Sequence, residues 1–354
     1  MGPALPALRA RLSSIGFDDA LASNTIPDLH GPELQSVSSR HDEPLRTALD
    51  LLVYGAAVPQ AAARDALTDT GFDALDELGL LAAEAGGTVL LPDLRLVHHH
   101  GVLVFCDRPI GQQARYYGPD SRYFGRFLLP ARGSVLDVCA GVGTQGILCA
   151  LTAEHVVCTE RESAPAALVP VNADLNDVRA RVEVRIGSLL DPVLAGERFD
   201  RVICNPPHLP VPEGLSFPVV AAGGEDGLAV TTVLVAALPD VLTHAGRAQV
   251  LGGVLGDASG PRTDTLDASA RANGIDMTLL VTGFEYIGPG SYLFEAMVAM
   301  AVSAGNERAA ARRALRLHLR RGGSDRSWTY LLSARRANHR SDAGLRTRRT
   351  FSTQ

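Results

Sequence analysis

Lysine is missing from these 354 residues: all 33 basic side chains are arginine. Its absence removes whole chemistries, since a Schiff base, a pyridoxal-phosphate anchor and the P-loop each need that amine. Cysteine is scarce, and Cys106, Cys139, Cys149, Cys158 and Cys204 form no CxxC pair. Four of them lie in apolar segments where a thiol packs as a small hydrophobe, so neither a disulfide framework nor a structural zinc site is indicated. No apolar run approaches the roughly 18–20 residues that span a bilayer, and the start Met1-Gly2-Pro3-Ala4-Leu5-Pro6 lacks a basic stretch followed by an apolar core. A cytoplasmic protein with no membrane partner is expected. The remaining composition, 46% hydrophobic and 20% charged, is that of a globular chain long enough for one or two domains.

Charge is unevenly placed. Asn306 to Gln354 holds 13 Arg against three acids, which leaves a net charge of −16 on residues 1–305. A body so acidic repels phosphate backbones and argues against a nucleic-acid partner. The arginine-rich helix Arg308–Arg321 is read as a solvated face in preference to an RNA contact.

Residues 1–112 read as helical pieces ending in a two-stranded ribbon. Pro44–Tyr54, Gln60–Thr68 and Phe72–Leu81 have helical spacing, and Thr88–Leu91 and Gly101–Phe105 are short β-rich runs. This outline is winged-helix-like, and a homodimerisation or lid element is preferred to a DNA reader. From Ser134 onward the pattern alternates. Val135–Cys139, His155–Thr159, Val182–Ile186, Arg201–Cys204, Ala248–Val254, Met277–Gly283 and Trp328–Ala334 are strand-like, with helices at Gly146–Thr152, Ala164–Asp174, Leu228–Leu242 and Ser291–Arg321. A doubly wound α/β domain over 113–337 is expected, followed by a basic, structureless tail over 338–354.

Gly141-Val142-Gly143-Thr144-Gln145-Gly146 follows the first of these strands and opens a helix. Such a loop suits a dinucleotide or another adenosyl cofactor, or is simply a tight turn. Asp137, four residues earlier, favours S-adenosylmethionine: a carboxylate repels a pyrophosphate but attracts a sulfonium and its ammonium group. Glu160, ending the second strand, is placed to accept from both ribose hydroxyls. Asn205-Pro206-Pro207-His208 ends the fourth strand, and its two prolines stop the strand in a fixed extended turn.

Together VLDVCAGVGTQGI, CTE, VNADLN, IGSLLDP and FDRVICNPPHLP resemble the N-directed class I methyltransferases. That group includes release-factor glutamine and ribosomal RNA guanine-N2 methyltransferases and related actinobacterial proteins with a winged-helix-like N-terminal domain. The similarity covers residues 113–300. It implies a Rossmann-like seven-stranded sheet, S-adenosylmethionine as donor, and an acceptor nitrogen at the Asn-Pro-Pro turn. By position, Asp137, Gly141 and Gly143 match methionine and backbone contacts, and Glu160 the ribose acid. Tyr117-Gly118-Pro119-Asp120-Ser121 resembles the segment that closes over the cofactor, so Asp120 and Ser121 join the cofactor set. Asn172 and Asn176 match a structural Asn pair. Ser188 stands where the adenine-binding Asp is usual, and His208 where Tyr or Phe stacks on a planar substrate.

An acceptor held by Asn205 and the Pro206 carbonyl, with His208 orienting it or taking its proton, defines the catalytic set. His208 in place of a larger ring lowers the expectation of a flipped base. The acceptor expected is therefore nitrogen in a small molecule or amino-acid derivative of specialised biosynthesis. A protein glutamine or RNA base is the alternative, and cofactor cyclisation or cleavage, or a binding module without catalysis, stand further off. His98-His99-His100 is read as a solvated hairpin in preference to a metal site, and Glu225 and Asp226 either as contacts to a cationic substrate group or as an exposed acidic turn.

Overall fold

The computed structural model describes residues 4–22, 41–108 and 114–350. They form two compact units: residues 1–127 with 141–186, and residues 128–140 with 187–354. The boundary expected at 112/113 lies outside the described residues. In chain order, the first unit opens with α1 (Ala4–Ser14), α2 (Phe17–Ala22), α3 (Glu43–Leu49, continued by a π turn over Asp50–Tyr54) and α4 (Gln60–Glu77). Backbone at Thr68 leaves helical geometry and kinks α4, between the two helical stretches read from sequence. Strands β1 (Val58–Pro59), β2 (Ala82–Glu84) and β3 (Thr88–Leu90) form a small antiparallel sheet, while β4 (Leu94–His99) and β5 (Val102–Asp107) form a separate hairpin. Helix α5 (Pro119–Gly125) follows.

The alternating part begins with β6 (Ser134–Val138), which belongs to the second unit. Helix α6 (Thr144–Ala150), β7 (His155–Glu160), α7 (Ser163–Leu175) and β8 (Val182–Ile186) belong to the first, and β7 and β8 pair in parallel. The second unit continues with β9 (Phe199–Cys204), α8 (Ala229–Val241), β10 (Leu242–Asp257), β11 (Gly260–Pro261) and α9 (Asp264–Ala272). It ends with β12 (Ile275–Tyr286), α10 (Tyr292–Ser303), α11 (Arg308–Gly322), β13 (Arg326–Arg336) and β14 (Gly344–Arg349).

In the second unit β6, β9 and β10 run parallel in register, with Val135 opposite Arg201 and Ala248 opposite Val202. β13 then lies antiparallel between β10 and β12. The fold is thus α/β with a mixed, Rossmann-like sheet, and all seven strands expected from sequence are present. β6 and β7 and the second half of β9 are buried on both faces, which explains their unbroken apolar runs, whereas β8 alternates apolar and polar residues and is largely exposed. Helix α9 was missed, and the helical stretch expected over Ser291–Arg321 is two helices. Gly305, at positive φ, closes the first, and Glu307 caps the second by accepting the Ala309 and Ala310 N–H groups at 2.8 and 2.7 Å. Among the described residues no helix is long and apolar enough to cross a membrane.

The tail departs most from expectation, because Gly344–Arg349 pairs in parallel with β12 as strand β14. Asp276 on β12 is 5% exposed, and its carboxylate accepts from Arg335 at 3.0–3.1 Å and from Arg346. The Leu345 N–H is bound by Asp267 at 2.7 Å. Of the arginines that suggested disorder, Arg346 is thus an ion-pair partner, Arg349 donates to the Ser259 carbonyl, and the charged side chains along β14 protect an edge strand. Deleting residues 338–354 removes Arg346 from a buried carboxylate and bares β12, so the melting temperature should fall by several degrees. A thermal scan matching the full chain would show that β14 contributes no stability.

Candidate active site

In the first unit the glycine loop is shaped by two positive φ values, +56° at Gly141 and +83° at Gly143. A methyl group at Gly143 would meet Val169 and Ile147 at 3.1–3.2 Å, whereas one at Gly141 would meet nothing within 4 Å. The turn is pressed on its own core at Gly143 and leaves bare backbone facing open space at Gly141. Glu160, at the end of β7, ties it down: Oε2 accepts the Gly141 N–H at 2.8 Å and Oε1 the Glu162 N–H at 2.9 Å. Each carboxylate oxygen has a second lone pair, so the group that holds the loop also retains capacity for ligand hydroxyls. This loop-holding role was not read from sequence.

Asn172 on α7 and Asn176, which caps its C-terminus, are buried and zipper the helix to β5. The Asn172 amide oxygen accepts the Phe105 N–H at 2.8 Å, and its nitrogen donates to the Phe105 and Val142 carbonyls at 3.1 and 3.0 Å. Asn176 accepts the Leu103 N–H at 2.9 Å and donates to the Leu103 carbonyl at 2.6 Å. The spacing explains the motif. Four residues along a helix advance about 6.0 Å and two along a strand about 6.6–6.8 Å, so asparagines at i and i+4 meet alternate residues of a neighbouring strand. The structural reading of this pair holds.

The histidine run behaves differently from the solvated hairpin expected. His99 is fully buried, and its Nε2 lies 3.2 Å from Gln145 Oε1, its Nδ1 3.3 Å from Tyr117 Oη. Gln145 Nε2 donates to the Ser121 carbonyl at 2.7 Å, which assigns Oε1 as the acceptor facing His99. Neutral His99 carrying its proton on Nε2, with Tyr117 donating to Nδ1, satisfies every group. Burial, reinforced by His100, pushes the imidazole down to about 3 and keeps it neutral. Asp120, half-buried on α5, accepts from Tyr116 at 2.6 Å, while Ser121 meets the network through its carbonyl. Among the described residues no cluster of His, Cys, Asp and Glu is arranged to hold a metal.

In the second unit Asp137 is 1% exposed on β6, opposite Ile203 of β9, and Asn205 follows the end of β9 directly. Two candidate groups thus stand at the carboxyl ends of adjacent parallel strands, where open α/β sheets place their ligands. Pro206 is buried, and its carbonyl lies 3.0 Å from His208 Nδ1. A carbonyl can only accept, so Nδ1 is the donor in this contact. The turn is seated on glycines. A methyl group at Gly223 would fall 2.5 Å from His208 Cα, and one at Gly253 2.8 Å from His208 Cδ2. Leu209 exchanges backbone bonds with Ala221 and Gly223 at 2.8–2.9 Å, closing the loop on itself. Asp226 is occupied structurally, accepting the Leu228 N–H at 2.8 Å where α8 begins, and Glu225 is exposed. Ser188 sits half-buried in a turn whose carbonyl accepts the Asp191 N–H at 2.9 Å. The glycines of the 223–227 loop were visible in sequence, but only the structure shows that Gly223 and Gly227 lie against His208, while Gly224, at positive φ, lies against Ala229.

Residues 121–250 match the family model described as the Methyltransferase small domain. Over 126 residues the chain is 32% identical to the release factor glutamine methyltransferase of Geobacter sulfurreducens, covering 33% of this chain and 44% of that protein. A second such enzyme, from Clostridium acetobutylicum, is 33% identical over 106 residues, covering 27% and 37%. The chain therefore spans less than half the length of either relative. Among solved structures, the transferase PH0793 of Pyrococcus horikoshii superposes with a TM-score of 0.43 at 11% identity, covering 86% of this chain and 99% of that one.

Proposed function

We propose that this chain, whose residues 121–250 match the Methyltransferase small domain, is a class I methyltransferase that transfers a methyl group from S-adenosylmethionine to nitrogen, with a protein glutamine side chain as acceptor. The observation that carries this reading is the Asn205-Pro206-Pro207-His208 turn, held rigidly beyond β9 next to the strand that buries Asp137. The residues suit the cofactor. Taken by itself, the first unit offers open space at Gly141, where any side chain would intrude, and acceptor capacity at Glu160 for ribose hydroxyls, and the second unit by itself offers the Asp137 carboxylate to a cationic ligand. When bound, S-adenosylmethionine supplies a methyl group activated by its sulfonium charge.

What the protein must do is position a poor nucleophile. A carboxamide nitrogen has a delocalised lone pair, and hydrogen bonds from its N–H groups to Asn205 and to the second lone pair of the Pro206 carbonyl orient it. Nitrogen loses a proton as it gains the methyl group, and a neutral His208 whose Nδ1 donates to the Pro206 carbonyl offers the Nε2 lone pair as the base within this turn. Both named relatives are release factor glutamine methyltransferases, which favours this acceptor over the small molecule expected from sequence.

The experiment has two arms. Calorimetry should register S-adenosylhomocysteine and not NADH. Incubation with S-adenosylmethionine and a purified release factor, followed by peptide mass spectrometry, should find one methyl group on a glutamine and S-adenosylhomocysteine as the sulfur product. Methylthioadenosine in its place, or label entering only RNA or the small-molecule fraction of an extract, would refute the amide acceptor.

A further inference from the structure

The ribbon expected from Thr88–Leu91 and Gly101–Phe105 does not form, since β3 pairs with β1 and β2 while β5 pairs with β4, and within the first unit the polar groups of the β4–β5 hairpin run to the glycine loop. From this we infer that the hairpin is part of the cofactor-binding machinery, with His99 and Asn172 as positioning residues for the loop and for the start of α6. The inference rests on the methyltransferase reading of that loop.

Two independent connections carry it. The first leaves the hairpin through a side chain: His99, the last residue of β4, donates to Gln145 Oε1, and Gln145 is the second residue of α6, whose N-cap is Gly143. Gln145 passes the connection on to the Ser121 carbonyl, and His99 also receives Tyr117. Backbone supplies the second: Phe105 of β5 gives its N–H and carbonyl to Asn172, and the same Asn172 nitrogen holds the Val142 carbonyl, between the two loop glycines. Glu160 fixes the Gly141 N–H from another direction. The loop and the start of α6 are thus held at three points, residues 141, 142 and 145, the last two by side chains that also bind or belong to the hairpin.

Close packing makes the first connection specific. A methyl group at Gly125 would lie 2.5 Å from both His99 Cε1 and His100 Cδ2, so α5 can rest on the hairpin turn only without a side chain there. His100 Nε2 lies 2.8 Å from the Arg122 carbonyl and secures the same contact. Buried, hydrogen-bonded polar groups that satisfy one another rigidify a site more than an apolar contact does, because leaving any one of them unmatched is costly. A loop that must present backbone in one conformation to a ligand benefits from that rigidity before the ligand arrives.

The test uses the full chain. S-adenosylhomocysteine is titrated by calorimetry into wild type, His99→Leu and His99→Gln, with hydrogen exchange of the amides of residues 141–150 followed without ligand. His99→Leu should weaken binding about tenfold and speed exchange in that segment while leaving β10 and β13 protected. His99→Gln keeps a donor for Gln145 and should recover affinity to within about threefold of wild type. Should the leucine variant fail to fold, Gln145→Ala removes the bond to His99 from the other side, together with the bond to the Ser121 carbonyl, without adding bulk, and is read in the same way. Unchanged affinity and exchange in a folded His99→Leu or Gln145→Ala protein would overturn the inference. If wild type does not bind S-adenosylhomocysteine, the cofactor reading falls, and exchange alone still reports whether the hairpin holds the loop.

Discussion

Asn205→Ala should keep S-adenosylhomocysteine affinity within a few fold and lower turnover by roughly 10²–10³-fold, the loss seen when one preorganised polar contact leaves an active site. Affinity is spared because Asn205 belongs to the acceptor turn, while Glu160 and the glycine loop form a separate set held by bonds of their own. The backbone of the turn should survive the change, since Pro206 and Pro207 restrict it and His208 clamps the Pro206 carbonyl. Asn205→Asp is the sharper companion. It keeps an acceptor oxygen but adds a charge, which a neutral carboxamide tolerates poorly and a cationic amine accepts. Loss of turnover in both variants supports the amide, and rescue by Asp points to an amine. Full turnover in a folded Asn205→Ala protein would return the turn to a purely structural role.

Glu160→Ala should weaken cofactor binding by about 10–150-fold, or roughly 1.5–3 kcal/mol, the range for hydrogen bonds to a charged group. The structure adds a reason to expect the upper part of that range: the same carboxylate holds the Gly141 N–H at 2.8 Å, so the variant loses a ligand contact and loosens the loop together. Glu160→Gln separates the two effects. Its remaining carbonyl oxygen can keep the bond to Gly141 while the charge is gone, and an intermediate affinity is expected. Calorimetry on the three proteins decides the matter, and equal dissociation constants for wild type and Glu160→Ala would remove Glu160 from the site.

Much of the site was legible because its signals are local. Gly141 and Gly143 imply a backbone turn, Asp137 in an apolar run implies a buried carboxylate with a purpose, and two prolines after Cys204 imply that β9 must stop. Each follows from steric or solvation rules acting within a few residues. Two misreadings arose where the governing partner is remote. His99 looked like part of a wet turn, since nothing nearby announces Gln145, 46 residues away. Arg346 looked like disorder, since Asp276 lies 70 residues earlier.

By itself, then, the sequence determined the seven strands of the α/β sheet, the glycine loop after β6 and the turn after β9, because apolar runs and backbone-restricting residues act through short-range geometry. Tertiary structure alone decided that β14 forms, that Gly223 and Gly253 seat His208, and that the β4–β5 hairpin grips the loop through His99 and Asn172. The physical reason is the same in each case. Whether a charged, small or titratable residue is solvated or buried depends on which distant group satisfies it, and composition carries no record of that pairing.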